Sequence, residues 1–438
     1  MSRVNPPRDL IGAGSEFLGS ARFINALTVC AIGTSVLATA VRHLIGLPGL
    51  VGVVVVLVLL AGMSLLARRD SLQWQSLLPI SLLVFLGWAG ISILWSQYQW
   101  ATLWGLAYLF AFSLLGLYVA LVRDTIQIVR AFGDVLRFVL VASLSVEIIS
   151  GLLIDTPLRF LGVQGNLAEL GPIQGLLDTR NQLALVALIA LITFATELRT
   201  RSIGRWIGAG SLAVALLTLA LSRSPVMGGI FVVAALATGA LLAIRLVPAA
   251  QRTVWQLVLL GGVVITAAIA WSFRTGAITL FNAGGDLDYR LNLWQRIWDL
   301  VAVHPLEGWG WIGYWQTGIA PFTTFATSTG REPNSALNSF VDIWLQLGLV
   351  GTALFAGLVG LAFVRSWLLA GRRRSIVFAW PAIILVVLIL SSLAESSTLV
   401  EYGWLTFVVC TVKAARELSW RRAFARSGDD TDVDEAAI

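Results

Sequence analysis

The side chains best placed to do chemistry are arginines that stand where long apolar runs begin. Arg180, Arg223 and Arg331 sit in Asp178-Thr179-Arg180-Asn181, Leu221-Ser222-Arg223-Ser224-Pro225 and Arg331-Glu332-Pro333-Asn334-Ser335. Ser224 followed by Pro225 is a cap and first-turn signal for a helix. A helix N-terminus offers unpaired N–H groups and about half a positive charge, and an arginine beside it adds a planar fork that fits phosphate oxygens. The other reading is that each guanidinium only reaches up to lipid headgroups. Arg290 is a sharper case. Leu287 to Val301 has helical periodicity, with Leu287, Leu291, Trp294, Ile297, Trp298 and Val301 on one face and Asp288, Asn292, Gln295 and Asp299 opposite. This predicts an amphipathic helix lying on a membrane surface. Arg290 falls near its apolar side, where it needs an anion. A lipid-linked phosphate or a carboxylate such as Asp286 would serve.

A second constellation is Asn338, Asp342 and Gln346, spaced four apart so that they share a helix face inside an apolar run. Such residues line a cavity or bind a neighbouring helix. Glu147 lies inside another apolar run and demands a partner; Glu395 stands near the end of one. Trp294, Trp298, Trp309, Trp311 and Trp315 are close together and could stack on sugar rings, although an interfacial belt is the commoner use of such residues. With two histidines (His43 and His304) and two cysteines (Cys30 and Cys410), neither a His/Cys metal site nor a disulfide framework can be built, and no cofactor is expected.

The elements that must carry these residues follow from composition. The 438 residues are 58% hydrophobic and 12% charged, against roughly 25% charged in a soluble domain. The apolar residues are bundled into segments of about the ~20 residues that cross a ~30 Å hydrocarbon core. Twelve are read, over 23–41, 49–66, 76–95, 101–122, 132–154, 181–197, 206–221, 226–244, 254–273, 338–364, 376–392 and 400–412. With the N-terminus inside, 22 of the 30 Lys and Arg residues fall on the inner side, and Arg42, Arg159, Arg180, Arg223, Arg274, Arg290, Arg296 and Arg331 fall outside. That asymmetry is the positive-inside pattern, so the net charge of +6 reads as membrane topology rather than nucleic-acid binding. The expected architecture is an all-α polytopic membrane bundle of about twelve transmembrane helices. Residues 1–22 and 413–438 form cytoplasmic tails, 23–412 the membrane domain, and 274–335 a large extracytoplasmic loop before the tenth helix. A loop of that length points to function.

Read in order, the motifs resemble the bacterial O-antigen ligase and exopolysaccharide polymerase superfamily. The pieces are Gly175-Leu-Leu-Asp-Thr-Arg180-Asn181, Leu221-Ser222-Arg223-Ser224, Arg290-Leu-Asn-Leu-Trp294 with His304-Pro-Leu-Glu-Gly308-Trp-Gly310, Asn338-Ser-Phe-Val-Asp342 through Gly348 and Gly351, and Glu395-Ser396. They cover about residues 170–400. One departure stands out. The family carries a histidine one to three residues before the asparagine, where this chain has Ser335, Ala336 and Leu337.

The resemblance implies a glycosyltransferase of the bacterial inner membrane. It would move a glycan from a polyprenyl-pyrophosphate carrier to a glycan or lipid acceptor on the extracytoplasmic face, as polymerase or ligase. Arg223 and Arg290 would then stabilise the pyrophosphate leaving group, and Glu332, nearest the missing histidine, would act as base. Arg180, Asn181, Arg331, Asn338 and Asp342 would bind substrate. The competing class is a secondary transporter or a lipid-linked oligosaccharide flippase, which would need broken helices or charge near mid-membrane.

Overall fold

The computed structural model describes residues 16–69, 79–168, 171–272, 284–325 and 333–417. Within them the chain is helical: α1 (Ala21–Val36), α2 (Ala38–Ala67), α3 (Ile80–Ile91), α4 (Gln99–Val122), α5 (Thr125–Ile148), α6 (Arg180–Thr200), α7 (Arg205–Ser222), α8 (Pro225–Leu246), α9 (Arg252–Ser272), α10 (Gly284–Val301), α11 (Ser339–Arg372), α12 (Ala379–Ser392) and α13 (Glu401–Glu417). Among the described residues seven helices are long and apolar enough to cross a membrane, and three shorter apolar ones accompany them. The chain is a helical membrane protein. Among the described residues the twelve apolar segments read from the sequence overlap helices, but those two groups hold only ten, and α9 and α13 belong to neither.

Side-chain distribution agrees with a membrane setting. Large apolar residues such as Leu59, Trp206, Leu236 and Leu257 are exposed on the outer helices, a pattern that water would penalise and hydrocarbon does not. The centre is α6, where every residue from Leu183 to Leu191 is buried. A helix apolar on all faces belongs inside a bundle. Helix α6 packs on α5, α7 and α12, while α13 packs on α4 and α11 packs on α3, α12 and α13.

Two departures from simple helices set up the site. The first is in α11, which is broken at Gly348 (φ +69°). The break frees backbone groups that a membrane helix cannot leave unpaired. The segment 305–310 takes them up: Trp309 N and Gly310 N donate to the carbonyls of Leu345 (3.0 Å) and Gln346 (2.8 Å), and Leu349 N donates to Pro305 O at 2.9 Å. The two backbones touch so closely that a β-carbon at Gly348 would lie 2.1 Å from Leu306 O, and one at Gly308 would lie 2.5 Å from Gly348 N. The Pro-Leu-x-Gly-x-Gly stretch is thus a backbone plug for the broken helix.

The second departure follows α5. After a π-helical turn over Ile149–Ile154, the chain returns toward the bundle, where Ile173 and Leu177 are buried in the main core. Glu147, the acid inside the fifth apolar segment, finds its partners here: its Oε1 accepts from Gln174 N (3.0 Å) and Gly175 N (2.8 Å). Ser143 Oγ accepts from Leu176 N at 3.2 Å, and Ile173 N donates to Leu221 O at 3.2 Å. These bonds fix where α6 begins.

The loop helix α10 departs from expectation. It packs through Leu293, Ile297 and Val301, while Leu291 and Trp298 remain 50% and 43% exposed. The apolar stripe is wider than a single contact. One edge joins Ile312, Trp315, Phe322 and Phe325 in a separate small core, so α10 docks on the protein rather than only lying on a surface.

Candidate functional site

The site forms at the bundle end where α6, α8, α11 and α13 begin and α7 and α12 finish. Thr179 caps α6, its side chain accepting from Gln182 N, which places Arg180 and Asn181 in the first turn. Ser224 caps α8, its Oγ accepting from Met227 N at 3.3 Å, with Pro225 as the first helical residue. Asn338 caps α11, its Oδ1 accepting from Phe340 N (2.9 Å) and Val341 N (3.2 Å). Three motifs far apart in sequence thus deliver polar side chains to one end.

A continuous hydrogen-bond chain joins them. Ser224 Oγ donates to Asn181 Oδ1 at 2.7 Å, and Asn181 Nδ2 donates to Glu395 Oε1 at 2.6 Å. Arg290 Nη2 donates to the same Glu395 oxygen at 3.1 Å. Arg290 Nη1 also donates to Leu337 O at 3.0 Å and to Ala394 O. Arg290 and Glu395 are 15% and 13% exposed, so the pair is shielded but reachable. The Asn338 amide donates to Leu393 O at 3.0 Å and Ser339 Oγ to Glu395 O at 3.0 Å, which ties the end of α12 to the start of α11. The charge that sequence alone assigned to a lipid phosphate or to Asp286 is balanced here by Glu395.

Arg223 closes α7 in the left-handed region (φ +48°), one residue from Ser224. Its side chain is exposed and has no ion-pair or hydrogen-bond partner among the described residues. Arg180 neighbours Asn181 and is half-buried. Arg331 and Glu332 lie outside the described residues.

Asp342 and Gln346 are buried within α11 and hold the loop that precedes it. Asp342 Oδ1 accepts from Trp315 Nε1 and Gln346 Nε2, both at 2.8 Å, and its Oδ2 accepts from Ala336 N at 3.2 Å. Gln346 Oε1 accepts from Ile312 N (2.8 Å) and Gly313 N (3.0 Å). Asp342 still reaches one wall of a narrow cleft that also takes in Asp178, Tyr314, Ser335, Leu337, Glu395 and Ser396. At the positions before Asn338, the backbone does the bonding. Ala336 O accepts from Trp294 Nε1 at 2.8 Å, and Leu337 has φ +52° with its carbonyl bound to Arg290.

One expectation about the loop is corrected, for two of its tryptophans. Trp311 and Trp315 are buried, at 1% and 4% exposure, so they form neither a belt nor an open sugar platform. Trp315 instead stacks on Phe325, with ring centroids 4.8 Å apart. His304 sits on the plug segment, its Nδ1 2.9 Å from Glu307 Oε1 and its ring edge-on to Trp309. The hydrogen bond with His304 holds the Glu307 carboxyl below its ordinary value.

Sequence reading missed a second ion pair behind the cleft. Glu401 (φ +47°) accepts from Arg42 Nη2 at 2.6 Å, Tyr108 OH at 2.8 Å and Tyr314 OH at 3.4 Å. Burial, with Glu401 beside it, pushes the Tyr314 phenol far above its ordinary value, so it stays a donor. An acid at the second position of the apolar run 400–412 was the signal available for Glu401.

Residues 208–356 match the model of a family described as O-Antigen ligase. The match takes in Arg223, Arg290 and Asn338 and leaves Asn181 and Glu395 outside. It bears out the resemblance read from the motifs: this segment is related to the O-antigen ligases, a membrane enzyme family. A comparison with curated proteins finds no match.

Proposed function

We propose that this chain is a glycosyltransferase of the bacterial cytoplasmic membrane. It transfers a glycan from a polyprenyl-pyrophosphate carrier to a glycan or lipid acceptor on the extracytoplasmic face, as a surface-polysaccharide polymerase or an O-antigen-type ligase. The observation that carries the reading is the chain Ser224–Asn181–Glu395–Arg290, with Arg180 and Arg223 each one residue from a member.

The chemistry follows from where charge develops. As the anomeric carbon–oxygen bond breaks, the electron pair leaves on the pyrophosphate. Cations already held in place stabilise that change, and removing one such donor costs about 3 kcal/mol, roughly 10²–10³ in rate. Arg290 suits this role because its carbonyl and carboxylate partners fix the guanidinium before substrate arrives. Glu395 and Asn181 are positioning residues in this scheme. Arg223, with a side chain uncommitted among the described residues, takes the outer phosphate, and Arg180 assists. The arginines supply the positive charge, so the step requires no metal or cofactor. Asn338 caps α11, and Asp342 holds Trp315 and Ala336 of the loop before it.

The orientation rests on charge. The opposite ends of α6, α7, α8 and α11 carry Arg199, Arg201, Arg205, Arg245, Arg372, Arg373 and Arg374, the arrangement of a cytoplasmic face. Both tails then lie in the cytoplasm.

Deletion of the gene, complemented with wild type, Arg223→Ala, Arg290→Ala or Glu332→Gln, tests the reading on a sizing gel of surface glycans. Single repeat units in place of a ladder identify a polymerase. Long chains left on the carrier identify a ligase. In either case the two arginine variants fail to rescue. Unchanged surface glycans in the deletion strain would sink the proposal.

A further inference from the structure

The transfer needs more than a stabilised leaving group, because an acceptor hydroxyl must lose a proton as it attacks. Three carboxylates among the described residues line the cleft: Asp178, Asp342 and Glu395. Two are committed. Asp342 is 1% exposed and accepts from Trp315, Gln346 and Ala336. Glu395 is already engaged by Arg290 and Asn181. Asp178 differs. It is exposed, and its carboxylate has no hydrogen-bond or ion-pair partner among the described residues.

Its place is also fixed. Asp178 precedes the α6 cap Thr179, and Asp178 N donates to Gln182 Oε1 at 3.4 Å. Asn181, three residues on, is tied to Glu395. The segment leading to it is held by the Glu147 and Ser143 bonds. Asp178 is therefore a carboxylate unpaired among the described residues, on a pinned backbone, in the same cleft as the carboxylate that positions Arg290. The rest of the lining suits a sugar, with hydroxyl and amide groups from Thr179, Asn334, Ser396 and Ser397 beside the ring of Tyr314.

We propose that the cleft takes the acceptor sugar and that Asp178 is the general base of the transfer. This rests on the glycosyltransferase reading above. The acceptor O–H bond breaks and its proton passes to the Asp178 carboxylate. The acceptor oxygen bonds to the anomeric carbon, whose bond to the phosphate oxygen breaks, and the electron pair leaves with the polyprenyl pyrophosphate. A positioned base contributes about 10²–10⁴ in rate.

The test uses full-length protein in lipid nanodiscs, with lipid-linked oligosaccharide and acceptor extracted from the deletion strain. Asp178→Asn should lower kcat at least 100-fold while KM for the donor stays within threefold. Asp178→Ala should regain at least tenfold in added formate, a recovery that a merely structural loss would not show. Asp155→Asn, an exposed acid at the far end of the same loop, serves as the control and should match wild type. Wild-type rates for Asp178→Asn would overturn the assignment and leave the transfer reading standing. So would a 100-fold loss confined to Glu332→Gln. No transfer by the wild-type protein would overturn both.

Discussion

Glu395 Oε1 receives two donors, Asn181 Nδ2 and Arg290 Nη2, and that sharing determines what each substitution should do. Removing Arg290 leaves a shielded carboxylate without its countercharge and takes a donor from two carbonyls, a change worth about 3 kcal/mol or more in a buried setting. Lysine does not replace it, since a single ammonium cannot reach Leu337 O, Ala394 O and Glu395 together. We expect Arg290→Lys to retain less than a tenth of the transfer rate while reaching the membrane at normal levels by immunoblot. A double-mutant cycle on Asn181→Ala and Arg290→Ala, read as kcat/KM, should show coupling of about 0.5–3 kcal/mol. Additivity within about 0.5 kcal/mol would mean that the two do not act through one carboxylate. The arginines of this site were legible in the sequence because they break the charge asymmetry of a membrane protein. Their partners were not. Glu395 lies 105 residues from Arg290 and 214 from Asn181, distances over which no periodicity carries information. Asp178 was masked by its neighbours, reading only as part of a cap.

At the scale of elements, the glycines of the loop motifs act through backbone contact. Gly348 has φ +69° and abuts the plug segment, whereas Gly357 in the same helix has open space where a β-carbon would go. Alanine at 348 must bear positive-φ strain of about 1–3 kcal/mol and also push the plug away. We therefore expect Gly348→Ala to abolish a monodisperse peak in detergent or to lower the thermal midpoint sharply. Gly357→Ala should be neutral, or stabilising by up to about 1 kcal/mol. Equal behaviour of the two would refute the plug. The returning segment ahead of α6 makes a similar claim. Glu147→Ala strands the N–H groups of Gln174 and Gly175, at about 1–3 kcal/mol each. Glu147→Gln keeps an oxygen that can accept both, so it should preserve most of the stability that alanine loses, as read by the same thermal shift. Helices were legible from apolar runs and caps, and Ser224–Pro225 behaves as its residues predict. The inward return of 171–177 was not, because Gly171 to Leu177 shows no period. The docking face of α10 was misread because Leu293 was left off its apolar stripe.

At the scale of the whole molecule, the arrangement has one property on which the chemistry depends: the arginine–glutamate chain and the arginine-rich ends of α7, α8 and α11 lie at opposite ends of the bundle. Charge asymmetry made this readable before any contact was known, since it depends on counting rather than on packing. It also makes a physical demand. A lipid-linked glycan presented outside can meet Arg290 only if the starts of α6, α8 and α11 face outward. Single cysteines in a background lacking Cys30 and Cys410 check this directly. Positions Asp155 and Asn334 should react with a membrane-impermeant maleimide in cells whose cytoplasmic membrane is intact. Positions Glu16, Arg201, Arg374 and Glu417 should react only after that membrane is opened. Labelling of Arg201 and Arg374 from outside would turn the site to the cytoplasm, where this donor is not presented, and the transfer proposal would fall with it. A split result, with Glu16 and Glu417 on different sides, would leave the site facing outward but would mean an odd number of crossings. The missed crossing would then lie outside α6, α8 and α11, whose starts carry the site.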